Sequence, residues 1–195
     1  MNYALLDTMP EEHPRLCILN GAPKKAEALV HHIMVGEPVL ADFPEDAAFH
    51  MSGRQDRIGL GGLVGNTDSL LIVHRSIKDL VLAHDKRHDL LECLPVKIIN
   101  HKKRVASADY FILNPLGGED CLDPKKSVIE RNKLGEIVEV EEIVLKKSKL
   151  DPRRALFRPL EDPYVYIARE DWLLKVKELG LKISNIYATP LDVSA

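Results

Sequence analysis

The stretch "LLECLPVKIINHKKRVASADYFILNP", Leu90–Pro115, contains two apolar runs on either side of a basic turn. Short runs rich in β-branched and aromatic residues and bounded by turn signals are typical of β-strands. We therefore predict strands over residues 94–100 and 108–114, paired as a hairpin. Successive side chains of a strand point to opposite faces of a sheet. The second strand places apolar residues on both faces, Tyr110 and Ile112 on one and Phe111 and Leu113 on the other.

Three segments with apolar residues at helical spacing lie outside this hairpin. The first ends at Gly36, and the second is predicted to be capped by the hydroxyl of Ser76. The third begins at Glu170, carries Trp172 on its apolar face and stops at Gly180. At this periodicity Trp172 is more often a core residue than an exposed binding anchor.

The order of the predicted elements is strands, helix, strand, helix, a long β-rich middle, strand, helix and strand. This order predicts an α+β fold, a mostly antiparallel β-sheet with a few helices packed on it. We expect a single domain over residues 1–195, in which residues 65–195 form the main core and residues 1–60 a loosely built N-terminal lobe. A chain of this length buries roughly 70% of the surface that its unfolded form exposes, so it needs no disulfides to fold.

The composition and charge of the chain argue against nucleic-acid-binding, secreted and membrane-spanning proteins. The net charge is −3, and residues 1–50 hold eight acidic against three basic side chains, which argues against general nucleic-acid binding. The N-terminus lacks the basic and apolar regions of a signal peptide, no run is long enough to span a membrane, and the three cysteines are widely spaced. These features predict a cytoplasmic protein that binds neither nucleic acid nor membrane.

The segment that follows the hairpin, "LGGEDCLDPKKS", concentrates three carboxylates at Glu119, Asp120 and Asp123. They could bind a divalent cation or act as acid and base, which would make the protein a small intracellular enzyme. Their spacing does not match a common calcium-binding loop. The alternative is a structural turn, in which Asp120 and Asp123 accept hydrogen bonds from nearby backbone amides and Pro115 ends the strand. We favour the turn.

Two further sequence patterns give weaker evidence for a ligand or metal site. The loop "GLGGLVG", Gly59–Gly65, has the glycine spacing of some nucleotide-binding loops, but it does not lie between a buried strand and a helix. We interpret it as a mobile or partner-contacting loop. His84 and His88 are four residues apart on a predicted helix, yet no third metal ligand lies close in sequence, so we expect a solvated helix end and no metal.

Five segments, taken in order, resemble an immunity-protein family of bacterial polymorphic toxin systems, the one numbered eleven, over roughly residues 65–195. The segments are "SLLIVHRSIKDLVL", "CLPVKII", "DYFILNPLGGEDCLDPKKS", "ALFR" and "YVYIAREDWLLKVKELGLKISNIYATPL". The residues that carry the resemblance are Arg75-Ser76, Asp120, Asp123, Ser127, Leu156-Phe157-Arg158 and Gly180-Leu181.

The resemblance implies an intracellular antidote that binds a cognate toxin and blocks it, without catalysis and without a cofactor. An acidic N-terminal surface could steer such a protein toward a basic toxin. The candidate partner-binding residues are then Glu11, Glu12, Asp42, Glu45 and Asp46. A scaffold or subunit that docks through a sheet edge or the glycine-rich loop is the remaining alternative, and the sequence leaves the oligomeric state open.

Overall fold

The computed structural model describes residues 1–9, 15–51, 57–179 and 185–195. Within these ranges the helices are α1 (Val30–Met34), α2 (Arg75–His84) and α3 (Glu170–Val176). The strands are β1 (Tyr3–Leu6), β2 (Ile18–Leu19), β3 (Ala48–His50), β4 (Gly65–Asn66), β5 (Ile72–His74), β6 (Leu91–Ile99), β7 (Val105–Pro115), β8 (Val128–Arg131), β9 (Ile137–Glu142), β10 (Val144–Lys146), β11 (Leu156–Phe157), β12 (Tyr166–Arg169) and β13 (Ala188–Ser194). The predicted α+β class is confirmed.

The predicted hairpin is the longest strand pair of the structure. β6 and β7 pair antiparallel from Leu91 opposite Pro115 to Ile99 opposite Val105, with irregularities near the turn. β5 adds to the free side of β7 antiparallel, and β3 adds to β6 parallel, which makes a sheet of four strands in the order β3-β6-β7-β5. Both faces of this sheet are covered, as the apolar pattern of β7 predicts.

A second sheet of five strands joins the two ends of the chain. Its order is β10-β13-β1-β12-β11, and β1 is the central strand, antiparallel to both β12 and β13. β10 runs parallel to β13 at the edge. The described residues also form two smaller pairs: β2 with β4, parallel, and the antiparallel hairpin of β8 and β9.

Three apolar clusters bind these sheets together. Helices α2 and α3 lie in the middle one, where Ile77, Val81 and Trp172 pack with residues of both large sheets. The outer face of the four-stranded sheet is covered by N-terminal residues from Cys17 to Val64. The outer face of the five-stranded sheet is covered by Cys121, Leu122 and part of the β8–β9 hairpin. The segments before residue 65 therefore contribute to all three clusters, through Tyr3, Leu6 and the N-terminal residues on the four-stranded sheet.

The N-terminus of α2 is built differently from the prediction. The helix begins at Arg75, and the cap is His74, whose Nδ1 accepts a 3.2 Å hydrogen bond from the backbone N–H of Ser76. The capping role assigned to Ser76 is therefore wrong by two residues. The physical reason is that the strand ends in an extended conformation at His74, so the ring nitrogen already satisfies the amide of Ser76.

The C-terminal elements agree with the prediction more closely than the N-terminus of α2 does. Trp172 is 1% exposed and its indole N–H donates a 2.9 Å hydrogen bond to Ala155 O, so it is a core residue. Strand β12 begins at Tyr166, two residues later than the alternation from Tyr164 suggests, and Tyr164 is 48% exposed. The predicted helix stop at Gly180 lies outside the described residues.

No helix in the described ranges has both the length and the apolar character needed to cross a membrane.

Candidate functional site

The carboxylate-rich segment after β7 crosses the five-stranded sheet from the end of β11, at one edge, to β10, at the opposite edge. Its backbone is held at both ends: the amide of Glu119 donates to Arg158 O and the amide of Asp123 donates to Val144 O, each at 2.8 Å. Between them, Cys121 and Leu122 are buried against the outer face of the sheet. The segment from Glu119 to Asp123 therefore lies across the sheet, and we call it the strap.

Asp123 has the structural role that its Asp-Pro sequence predicts. Its Oδ1 accepts a 3.0 Å hydrogen bond from the backbone N–H of Lys125, and its Oδ2 accepts one of 2.7 Å from the hydroxyl of Ser194. The hydrogen bond from Ser194, with that from Lys125, holds the pKa of Asp123 below its usual value. Ser127 closes the same turn, because its hydroxyl accepts from Val144 N and donates to Val144 O.

Among the described residues no backbone amide donates to the carboxylate of Asp120, and that part of the prediction is wrong there. Its carboxylate is exposed and forms a 2.6 Å ion pair with Nζ of Lys149. The reason is geometric: Cys121 takes the interior position at this point of the strap, which turns Asp120 outward. An exposed pair of this kind contributes little to stability.

Glu119 points in a third direction, toward the guanidinium of Arg154 at 3.2 Å. The Arg154 side chain is 4% exposed, and its Nη2 also faces the carbonyls of Leu90 and Leu116. Burial raises the pKa of Glu119, and the cation of Arg154 opposes this shift only in part.

The three carboxylates therefore serve three separate contacts, with Arg154, Lys149 and Ser194. Within the described part of the chain, no three His, Cys, Asp or Glu side chains are grouped to hold a metal ion. Both members of the predicted histidine pair face backbone carbonyls: His84 Nδ1 lies 2.8 Å from Leu80 O and His88 Nε2 lies 3.0 Å from Leu82 O.

The glycine-rich loop, which we predicted to be mobile or partner-contacting, is mostly packed inside the structure. Residues 61–66 are buried, and β4 at the end of this run pairs with β2. The side-chain amide of Asn185 pairs with the backbone of Leu63 in both directions, at 2.9 and 2.8 Å, and Tyr110 donates to Gly61 O at 2.7 Å. A Cβ at position 61 would lie 2.5 Å from the side-chain oxygen of Asn185, so a larger residue there would have to displace the Asn185 amide from Leu63. Residues 52–56, before this loop, lie outside the described ranges.

Three of the acidic residues proposed to contact a partner, Asp42, Glu45 and Asp46, lie in the segment of residues 37–46, which we call the acidic loop. Asp42 and Glu45 are exposed and form no ion pair with any residue in the described ranges. Asp46 forms an ion pair with Lys25, and this hydrogen-bonded contact lowers the pKa of Asp46. Glu11 and Glu12 lie outside the described residues.

A buried carboxylate that the sequence did not single out holds the acidic loop in place. Glu92 of β6 is 8% exposed, and it accepts hydrogen bonds from the backbone amides of Val39, at 3.1 Å, and Leu40, at 2.9 Å. Asn114 Nδ2 donates to the same carboxylate at 3.0 Å. The sequence feature that could have indicated this role is a single acidic residue between apolar neighbours in "LLECL". A buried carboxylate needs such donors, and here they fix one conformation of the loop.

A scan of protein-family models finds none that matches the chain, and a search of curated proteins finds no match. The resemblance to the immunity-protein family stays a prediction.

Proposed function

We propose that this chain is a non-catalytic immunity protein, an antidote that binds a cognate bacterial toxin in the cytoplasm and occludes it. The observation that supports this function best is the acidic loop, where Asp42 and Glu45 have no ion-pair partner among the described residues and the backbone is held by Glu92. The side chain of Leu40, in the middle of the loop, is 55% exposed, although its backbone amide donates a hydrogen bond to the buried carboxylate of Glu92.

A loop that is already ordered loses less conformational entropy on association. Unpaired carboxylates on such a loop attract a basic surface over a distance of about one Debye length, roughly 8 Å at physiological salt, and speed the encounter. These are the properties expected of a protein that must capture a toxin quickly.

Three of the residues that carry the family resemblance act inside the fold. Asp123 binds Ser194, Ser127 binds the backbone of Val144, and Arg158 is fully buried. Polar groups that are used in this way maintain a scaffold, and the exposed surface is then the part of the molecule available to recognise a particular toxin.

Stoichiometry separates occlusion from catalysis. We expect the toxic protein encoded beside this chain to be neutralised in proportion to the moles of antidote added, with a break point at a fixed molar ratio and a complex visible by native mass spectrometry. Neutralisation by far less than one equivalent, with no complex formed, would mean that the protein is an enzyme.

The steering role of the acidic loop has its own test. We expect Asp42→Lys with Glu45→Lys to reduce the association rate constant for the toxin about tenfold at low salt, and the deficit to shrink as salt is added. Glu130→Lys with Glu136→Lys, on the exposed β8–β9 hairpin, makes the same change in net charge and serves as the control. Equal association rates for wild type and the loop variant would remove the acidic loop from the proposal.

A further inference from the structure

Two cavities beside β1 and β13 share Leu5 and Val165 in their lining and so form one continuous surface, which we call the β1–β13 groove. Their volumes are about 380 and 360 Å³. A further cavity of about 310 Å³, beside Ala4 and α3, lies on the opposite face of the five-stranded sheet and is not part of the groove.

The groove combines apolar walls with exposed aromatic rings. Tyr164 and Tyr187 line the same cavity and are 48% and 51% exposed. Large tyrosine surfaces that remain accessible in the folded chain are typical of the centres of protein interfaces.

The charges along the groove have one sign. Five carboxylates line it, and no lysine, arginine or histidine does so among the described residues. None of the five forms an ion pair with another residue in the described ranges. These carboxylates are Asp7, Glu141, Glu142, Asp162 and Asp192.

The apolar walls, the tyrosine rings and the carboxylates together determine which side chains of a partner would bind in the groove. A purely apolar partner would cover carboxylates without replacing their water, which is unfavourable. Arginine and lysine side chains satisfy carboxylates with their charged ends, lay their aliphatic stems on apolar walls and stack over tyrosine rings.

We infer that the β1–β13 groove is the docking surface for a basic, arginine- or lysine-rich face of a partner protein. This inference rests on the proposed function in taking that partner to be the toxin. The groove supplies the short-range contacts that determine how long the complex lasts, whereas the acidic loop affects how fast it forms.

The first experiment measures dissociation of the complex with the toxin. We expect Tyr187→Ala and Tyr164→Ala each to raise the dissociation rate constant at least tenfold, and Glu141→Lys with Glu142→Lys to do the same. Leu134→Ala removes an 84% exposed side chain in the β8–β9 hairpin and should change this rate less than twofold. Because both tyrosines are half exposed, melting temperatures should stay within about 2 °C of wild type.

The second experiment does not depend on the toxin. A twelve-residue peptide of alternating arginine and alanine should shift the NMR resonances of the Tyr164 and Tyr187 rings, and the glutamate–alanine peptide of the same length should not. The shifts should disappear in Glu141→Lys with Glu142→Lys.

The two experiments distinguish the two proposals. If the peptide binds the groove while the neighbouring toxin forms no complex, the groove stands as a site for basic partners and the antidote function fails. If the toxin binds and all three groove variants dissociate at the wild-type rate, the antidote function stands and this inference is wrong. Absence of any peptide-induced shift would also contradict it.

Discussion

The guanidinium of Arg158 lies 4.1 Å from the ring centroid of Tyr166, and its Nη2 donates a 2.8 Å hydrogen bond to the hydroxyl of the same tyrosine. Arg158 is fully buried, and its other acceptors are backbone carbonyls, those of Ile33, Met34, Pro115 and Pro163. One side chain therefore connects α1, the end of β7 and the start of β12.

Replacement of Arg158 by lysine should destabilise the fold strongly. Lysine has three donors on one atom and no planar group, so it leaves several buried carbonyls without partners and loses the stacking on Tyr166. We expect Arg158→Lys to lower the free energy of unfolding by roughly 3 kcal/mol or more, measured by urea denaturation. Arg153→Lys, at a 59% exposed side chain, is the control and should have little effect. A loss below about 1 kcal/mol for Arg158→Lys would contradict this role.

Two glycines with left-handed backbones should respond differently to alanine. Gly36 has φ +75° and Gly135 has φ +83°, so the intrinsic cost of a side chain is similar at both. A Cβ at Gly36 would lie 2.8 Å from Pro115 O and 3.3 Å from Gly117 N, whereas one at Gly135 meets nothing within 4 Å. We expect Gly36→Ala to cost at least about 1 kcal/mol more than Gly135→Ala in thermal or urea unfolding. Equal costs would show that the contact with Pro115 is relaxed without penalty.

The two aspartates of the strap should differ in their effect on stability and on its pH dependence. Asp123→Asn removes a buried acceptor of the Ser194 hydroxyl, so we expect the melting temperature at pH 7 to fall by roughly 3 °C or more. The pKa of Asp123 is depressed in the fold, so its contribution is present above the unfolded value of about 3.8 and is lost as the pH falls through the folded pKa. The difference between variant and wild type should shrink between pH 4 and pH 2.

Asp120→Asn is the matched control for that experiment, because Asp120 is 62% exposed and contacts Lys149 at the surface. Its melting temperature should lie within about 1 °C of wild type. A larger loss for Asp120→Asn than for Asp123→Asn would restore Asp120 as the structural residue of this turn.

Glu119 should show the opposite pH dependence. Its pKa is raised in the fold by burial, so its contribution to stability is complete below the unfolded value of about 4.5 and is lost as the pH rises through the folded pKa. Glu119→Gln cannot ionise. We therefore expect its melting temperature, relative to wild type, to rise between pH 4 and pH 7, while Glu130→Gln at an exposed site gives a constant difference. A relative melting temperature that falls with pH would mean that the ion pair with Arg154 outweighs burial.

Several parts of the fold were predictable because their signals are local. The β6–β7 hairpin follows from two apolar runs around one turn, and α3 follows from apolar residues at helical spacing with Trp172 among them. The structural role of Asp123 was also predictable, since the hydrogen bond that it accepts from the Lys125 amide joins residues only two positions apart. In each case the deciding contacts lie within a few residues, where side-chain spacing specifies geometry.

The sequence by itself thus determined the α+β class, the central hairpin and the burial of Trp172. Only the tertiary structure decided what the polar groups do: Glu92 meets Leu40 across 52 positions, Asp123 meets Ser194 across 71, and Arg158 meets Ile33 across 125. The same holds for the buried glycine-rich loop and for the acidic groove around β1 and β13. Spacing along the chain specifies which face of an element a side chain occupies, but the partner on that face depends on how distant elements pack.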